Sequence, residues 1–383
     1  MPLAFALALI TPPFQNPDED GHFLRAVQIA GGEFTGRHLA AGGSGGRIDP
    51  AARVAGARFK PLAGPSRAPA RSGDDGGHGR LALGAPHPRT PAFPTRFCGR
   101  RRCISPPPPP CWSVAPSTCR WSRPCACGRL VNAAFAVALG FAALWLWPTG
   151  RALLFTALSL PMALSLYGST SHDGLMITVS ALALALILRG RAATSLIAAL
   201  LLGLVAAGRP VYAPLVLLPL LDRPGAPRAW LGVAIGAACI AAWAPFAEAA
   251  RIEFSHDGLH IDSAEQLAYL LGHPLAIPGI ALDTLRVHGR EYIIMVIGAL
   301  GALDTLLPKP YYALAALILL AAVITDAIGP GAGRGRGLLL GILLVGTGAV
   351  FFSQYMIWSA VGGTVIEGVQ GRYFLPFAPR RRC

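Results

Sequence analysis

Long apolar runs without a charged residue are the feature that most limits what this chain can fold into. Leu130–Trp147, Leu175–Leu188 and Trp230–Phe246 are three such runs. Charged residues make up 14% of the chain, whereas about 25% is usual in soluble domains, and the mean hydropathy is +0.51. So few charges cannot cover a compact globule with polar surface. The sequence therefore predicts that a lipid bilayer is the partner for much of the chain.

The apolar runs after residue 128 predict eight membrane spans. They are Leu130–Trp147, Ala152–Tyr167, Leu175–Leu188, Thr194–Ala207, Val211–Leu221, Trp230–Phe246, Tyr311–Ile328 and Gly337–Trp358. The apolar start Met1–Thr11 is shorter than the about 20 residues that a span requires, and we interpret it as the end of a first helix whose beginning is missing from this chain. The predicted fold class is all-α: a polytopic transmembrane helical bundle of about nine spans with an irregular outer-face segment.

Arginines in the loops predict the orientation of these spans, because cytoplasmic loops are rich in basic residues. The loops with Arg151, Arg189 and Arg228 are assigned to the cytoplasm, and those with Asp173 and Arg372 to the outside. This alternation requires that Ile293–Leu307 does not cross, so we predict an interfacial or re-entrant element there. The expected divisions of the chain are 1–41, 42–128, 129–247, 248–310, 311–358 and 359–383.

Residues 42–128 differ from the rest, being rich in Arg, Pro, Gly and Cys without a helical or strand period. Two interpretations stay open: a disordered or polyproline loop, or a coding sequence translated out of frame, which the terminal Arg380–Cys383 also resembles. Six of the eight cysteines lie here without zinc-ligand spacing. The net charge of +14 comes without a basic helix, so nucleic acid is not an expected partner.

Polar residues gather where the predicted spans meet the outer face. They are Asp18, Glu19, His22, Arg25, His172, Asp173, Arg209, Tyr212, Gln370 and Arg372. A divalent cation is the candidate cofactor, because carboxylates at a helix end can bind one. The carboxylates can also act as a general base, and arginines bind phosphate. The competing interpretations are a solvated flank for Asp18 and Glu19, a helix cap for Asp173 and a snorkelling anchor for Arg209.

Several short motifs occur together in this sequence. They are TPPFQNPDEDGHFLRA at 11–26, RLVNA at 129–133, LPM at 160–162, STSHD at 169–173, RPVY at 209–212 and GVQGRYFLP at 368–376. In combination they resemble a bacterial membrane family described as domain of unknown function 2142. In layout that family is similar to C-type glycosyltransferases, which use polyprenyl-phosphate sugars and carry a catalytic acid in the first outer loop.

The resemblance implies a multi-pass protein of the bacterial plasma membrane. It implies that Asp18 or Glu19 is the base or metal ligand and that Arg209 and Arg372 contact phosphate. We further expect substrate contacts from His22, Arg25, His172, Asp173, Tyr212 and Gln370. Two other functions stay open: a transporter or flippase of lipid-linked glycans, and a non-catalytic component of an assembly complex. Span interiors that are nearly free of charge disfavour transport.

Overall fold

A computed structural model describes residues 2–38, 44–46, 48, 52, 116–148, 150–221, 225–251, 259–327 and 335–377. These residues form twelve α-helices, two 3₁₀ helices and two hairpins of very short strands, which confirms the all-α prediction. Most of the segment 42–128, residues 252–258 of the predicted outer loop and residues 378–383 lie outside the described residues.

The α-helices are α1 Pro2–Ile10, α2 Glu19–Ala30, α3 Pro116–Leu146, α4 Ala152–Leu158, α5 Pro161–Tyr167, α6 Asp173–Leu188, α7 Ala192–Gly208, α8 Pro227–Ala249, α9 Ser263–Gly272, α10 Ala276–Gly298, α11 Lys309–Ala327 and α12 Arg336–Ile357. The first 3₁₀ helix is Pro210–Leu221 and the second is Gly371–Phe377. The antiparallel hairpins pair β1 Arg37–His38 with β2 Ser44–Gly45 and β3 Ala299–Leu300 with β4 Thr305–Leu306.

Helix α6 lies at the centre of the bundle, between α3 and α7, and α8 packs on the far side of α7. Small side chains let these helices approach closely. Ala181 and Ala185 of α6 and Ala198 of α7 are fully buried. A Cβ atom added at Gly203 of α7 would lie 2.9 Å from the Cα atom of Gly236 in α8. Small residues therefore set the spacing of the central helices.

Four helical segments are long and apolar enough to cross a membrane: Pro124–Leu146, Pro227–Ala249, Lys309–Asp326 and Gly337–Ile357. Helix α6, helix α7 and the first 3₁₀ helix are apolar but shorter. Large apolar side chains such as Phe135, Leu204 and Leu317 are more than half exposed. Lipid is the solvent that makes such exposure favourable, so the chain is a membrane protein. The count of nine spans stays a prediction.

Three elements differ from the sequence-based expectation, and proline accounts for the first two. The predicted span Ala152–Tyr167 is two helices, because Pro161 begins a new helix. The predicted span Val211–Leu221 is a 3₁₀ helix with Pro214 and Pro219 inside it, since proline cannot donate the α-helical hydrogen bond. The expectation of no regular structure up to residue 128 is wrong at its end, because α3 already begins at Pro116.

The segment Ile293–Leu307 does not form a helix of its own. Its first part completes α10, and its second part is the β3–β4 hairpin. The chain after α12 is bonded to α9 and α10. The Gln266 Oε1 atom of α9 accepts from the Gly362 N–H group at 2.9 Å. The Thr284 Oγ1 atom of α10 accepts from the Ile366 N–H group at 2.9 Å. These bonds fix the entry into the second 3₁₀ helix.

Candidate functional site

Four segments that are far apart in sequence meet at one end of the bundle. They are the loop between α1 and α2 with the start of α2, the residues before α6, the end of α7, and the second 3₁₀ helix. The predicted site residues that they bring together are Asp18, His22, His172, Asp173, Arg209 and Arg372.

Two carboxylates and two arginines form an alternating chain of ion pairs. The Arg372 Nη2 atom lies 2.5 Å from Asp18 Oδ2, and its Nη1 atom lies 3.2 Å from Asp173 Oδ2. The Arg209 Nη2 atom lies 2.9 Å from Asp173 Oδ1. Arg372 and Asp173 are buried, whereas the side chains of Asp18 and Arg209 are 57% and 19% exposed. The inner pair of Arg372 and Asp173 is thus enclosed, and the chain of ion pairs reaches the surface at Asp18 and at Arg209.

Tyr373 is a site residue that the sequence analysis missed. Its ring centroid lies 4.9 Å from the Arg209 Cζ atom and 5.3 Å from the Arg372 Cζ atom. Cations over an aromatic face are attracted to it by the ring quadrupole. The ring therefore contacts both guanidinium groups, and the signal in the sequence is its place in the GVQGRYFLP motif, next to Arg372.

His22 and His172 form a pair beside the ion-pair chain. Their Nδ1 atoms are 3.1 Å apart, and their rings meet edge to face with centroids 4.3 Å apart. Burial lowers the pKa of His172 to about 4 and also lowers that of His22, and the nearby Asp173 carboxylate only partly opposes this. Both rings are consequently neutral at pH 7.

Glu19 is fully buried and belongs to a different network. Its two oxygens accept from the Arg129 Nε and Nη2 atoms, each at 2.6 Å, and Oε1 also accepts from the Thr170 N–H group at 3.0 Å. Arg129 further donates to the carbonyls of Thr11 and Pro12. In the structure Glu19 joins α2 to α3 and to the residues before α6, and it offers no oxygen to a substrate.

The structure places the other predicted residues around the cluster or away from it. The Arg25 guanidinium donates to the Gln28 side chain and to the carbonyl of Phe34, within the α2 region. Tyr212 is buried and packs edge-on against Phe377, with ring centroids 5.4 Å apart. Gln370 lies two residues before Arg372 and has a buried side-chain oxygen.

The residues present do not fit a divalent cation. Within the described ranges no three His, Cys, Asp or Glu side chains gather as a metal site requires. Asp18 faces an arginine, and so does Glu19. A cation would have to displace both guanidinium groups, so the metal-ligand prediction for these two residues gains no support from the donor set.

Besides the two Asp173 oxygens, whose contacts are ion pairs, four buried polar atoms of the cluster and of nearby Gln370 have no hydrogen-bond partner among the described residues. They are His22 Nε2, His172 Nε2, Gln370 Oε1 and Arg372 Nε. Native structures leave few such atoms without a partner, and each indicates a bound water or ligand. The concentration of four of them at one site indicates a polar ligand.

Comparison with known proteins agrees with the membrane fold. A family model described as "predicted membrane protein", DUF2142, matches residues 125–380. The match includes Asp173, Arg209 and Arg372 and begins after Asp18 and His22. No curated protein and no solved structure matches the chain. With most of its length covered by that model, the chain belongs to the predicted membrane protein family DUF2142.

Proposed function

We propose that this protein is a membrane glycosyltransferase that moves a sugar from a polyprenyl-phosphate carrier to a hydroxyl acceptor at the outer face, in cell-envelope glycan assembly. The observation that supports this most directly is the Asp18–Arg372–Asp173–Arg209 chain with unpartnered polar atoms beside it. Transfer from a phosphate requires cations to bind the leaving phosphate and a group to accept the hydroxyl proton. Both kinds of group lie at this end of the bundle.

The arginines are suited to a phosphate on a lipid. Arg209 is partly exposed and uses one Nη atom on Asp173, so its other donors are available for a ligand. The Arg372 Nε atom has no hydrogen-bond partner in the part of the chain that the structure describes. Guanidinium groups bind phosphate oxygens through two parallel hydrogen bonds. Asp173 holds both arginines in place and balances part of their charge before the ligand binds.

Of the two carboxylates predicted to be catalytic, Asp18 is the one that a substrate can reach. Its side chain is 57% exposed, whereas Glu19 is fully enclosed by Arg129 and Thr170. Asp18 also has a left-handed backbone with a φ angle of 58°, which is uncommon outside glycine and typical of functional positions. In this proposal Asp18 sits at the substrate side and holds Arg372.

The test is sugar transfer in proteoliposomes that contain radiolabelled polyprenyl-phosphate hexoses and a lipid extract as the acceptor. We expect Arg209→Gln to lower the rate by about 10²-fold or more, the usual effect of removing one transition-state contact. Asp18→Asn should also lower the rate, because it releases Arg372 from its ion pair. Asn tolerates the left-handed backbone at position 18. Asp20→Asn and Arg189→Gln, which remove the same charges elsewhere, should keep the wild-type rate.

The same vesicles separate this proposal from its rivals. Movement of labelled carrier lipid across the bilayer without any sugar product would indicate a flippase. Neither movement nor product, together with stable capture of envelope-synthesis enzymes, would indicate a non-catalytic component. Full activity of Asp18→Asn and Arg209→Gln would remove the site from the proposal.

A further inference from the structure

We propose that the His22–His172 pair, with one proton shared between the two Nδ1 atoms, accepts the hydroxyl proton during transfer. This inference rests on the proposed function and deepens it, because it names the group that takes the proton. The pair joins two separate segments: His22 belongs to α2, and His172 immediately precedes α6. The 3.1 Å separation of the Nδ1 atoms is hydrogen-bond distance.

An Nδ1–Nδ1 hydrogen bond forces the two rings into complementary states. One ring must carry a hydrogen on Nδ1, and the other must present a lone pair there. In the neutral pair, the first ring therefore has a bare Nε2 atom and the second has an Nε2–H group. Both Nε2 atoms are buried and lack a hydrogen-bond partner among the described residues. The Asp173 Oδ1 atom lies 3.9 Å from the His172 Nε2 atom, which is beyond hydrogen-bond distance. The pair thus offers one acceptor and one donor to a ligand.

The carboxylates of the site are less suited to this role. Asp18 is held by Arg372 at 2.5 Å, and Asp173 is held by both Arg372 and Arg209. Glu19 is enclosed by Arg129. Oxygens that are occupied by arginine donors are not available to a hydroxyl group of a substrate. Within the described residues, the two imidazoles are the bases at this end of the bundle that have no ion pair with an arginine.

Charged groups on every neighbouring segment act on the pair. Asp18 comes from the loop after α1, Asp173 from α6, Arg209 from the end of α7 and Arg372 from the second 3₁₀ helix. The two carboxylates favour protonation of the pair, and the two arginines and burial oppose it. The pair is neutral before substrate binds, which is the state that a base requires.

The step balances as follows. The acceptor oxygen forms a bond to the anomeric carbon as the bond from that carbon to the phosphate oxygen breaks, and the electron pair leaves on the phosphate. The acceptor proton moves to the bare Nε2 atom of one imidazole. The Nδ1 proton then crosses to the other ring, whose Nε2–H proton is released to water. This returns the pair to a neutral state with exchanged tautomers.

The first test reads the shared proton without any substrate. Nuclear magnetic resonance of the full chain with isotopically labelled histidine, in detergent micelles, should show one Nδ1–H and one Nε2–H tautomer for the pair. His22→Gln and His172→Gln identify the two signals. His260→Gln, which alters an exposed histidine bonded to Glu265, is the control and should leave both signals unchanged. Two identical tautomers, or two rings that titrate independently, would overturn the proposal.

The second test follows the rate of transfer from polyprenyl-phosphate hexose against pH. The unaltered protein and His260→Gln should lose rate in acid as the pair becomes protonated. His172→Gln should be slower by about 10²-fold, the usual contribution of a positioned base, and should lack that loss in acid. If His172→Gln keeps the wild-type pH profile, the proton-accepting role is overturned while the transferase proposal stands. If the unaltered protein forms no product, the transferase proposal fails, and the accepting role with it.

Discussion

Arg129 of α3 and Glu19 at the start of α2 form a buried, two-point ion pair between residues 110 positions apart in sequence. Both contacts measure 2.6 Å. Through Arg129 the pair also holds the carbonyls of Thr11 and Pro12, and through Glu19 it holds the Thr170 N–H group. The two segments that carry Asp18 and His172 are thus fastened to the same point of α3.

We expect substitution of either partner to destabilise the protein. Glu19→Gln leaves the Arg129 charge buried without a counter-charge, and breaking a buried pair in this way costs about 3–5 kcal/mol. Arg129→Met likewise leaves the Glu19 carboxylate buried without a counter-charge. The measurement is thermal unfolding in detergent, followed by the near-ultraviolet signal of the aromatic residues.

The matched control is an ion pair on the surface. Arg286 and Asp283 of α10 lie 2.9 Å apart with side chains that are 67% and 47% exposed. Asp283→Asn should change stability by less than about 1 kcal/mol, because exposed pairs contribute little. Equal shifts for Glu19→Gln and Asp283→Asn would show that the buried pair does not hold these segments together.

The sequence predicted five of the twelve described α-helices well, because their apolar runs are long. The predictions for α6, α7, α8, α11 and α12 each agree with the structure to within a few residues. Hydrophobicity alone does not reveal where the backbone departs from an α-helix. The break before Pro161 and the 3₁₀ geometry after Pro210 depend on which N–H groups are missing and on how neighbouring helices cover the irregular backbone.

The sequence predicted a region for the site and not a set of contacts. The charges of the loops and the alternation of the spans predicted His172 and Arg372 on the same side of the membrane. In the structure both contact Asp173. The sequence could not show which of Asp18 and Glu19 faces a substrate. The side chains of adjacent residues at the start of a helix point in different directions, and the sequence does not say which direction is buried. That distinction depends on Arg129, whose partner is set by the packing of α1 against α3.

Acid should weaken the folded state through His172. Its pKa is lowered to about 4 by burial, from 6.5 when exposed. Below pH 6.5 the unfolded chain therefore binds a proton that the folded chain does not, and stability falls as the pH drops from 6.5 towards 4. We expect His172→Gln to lose less thermal stability than the unaltered protein between pH 7 and pH 4.5, measured in detergent.

His260 provides a control with the opposite sign. A hydrogen bond to Glu265 raises its pKa, so its contribution is present at low pH and is lost as the pH rises through the raised value. His260→Gln should not reduce the acid sensitivity of the protein. An unaltered acid response in His172→Gln would mean that this imidazole is already free to take a proton in the folded state.

Asp326 near the end of α11 should act as a helix cap for α4. Its Oδ2 atom accepts from the Leu153 N–H group at 3.1 Å, and the side chain of Arg151 does not cap this helix. Removing a helix cap costs about 1 kcal/mol, so Asp326→Ala should lower the unfolding temperature, with Asp326→Asn in between. If both variants unfold at the wild-type temperature, α4 is held by packing alone.

Sidedness is the last expectation, and cysteine labelling tests it. Helix α7 lies between Arg191 and Arg209, so residues at its two ends report on opposite ends of the bundle. In a parent with the eight native cysteines changed to serine, Ala26→Cys at an exposed position of α2 should react with a membrane-impermeant maleimide on intact cells. Ala193→Cys, also exposed, should react only after permeabilisation.

The reverse labelling pattern would place the arginines and the histidine pair in the cytoplasm. Arg209 and Arg372 would still suit a phosphate, because their chemistry does not depend on the compartment. A carrier lipid that presents its sugar outside could not reach them, however, and water-soluble nucleotide sugars could. The proposal of an outer-face transferase therefore requires that the maleimide reaches position 26 from outside before any permeabilisation.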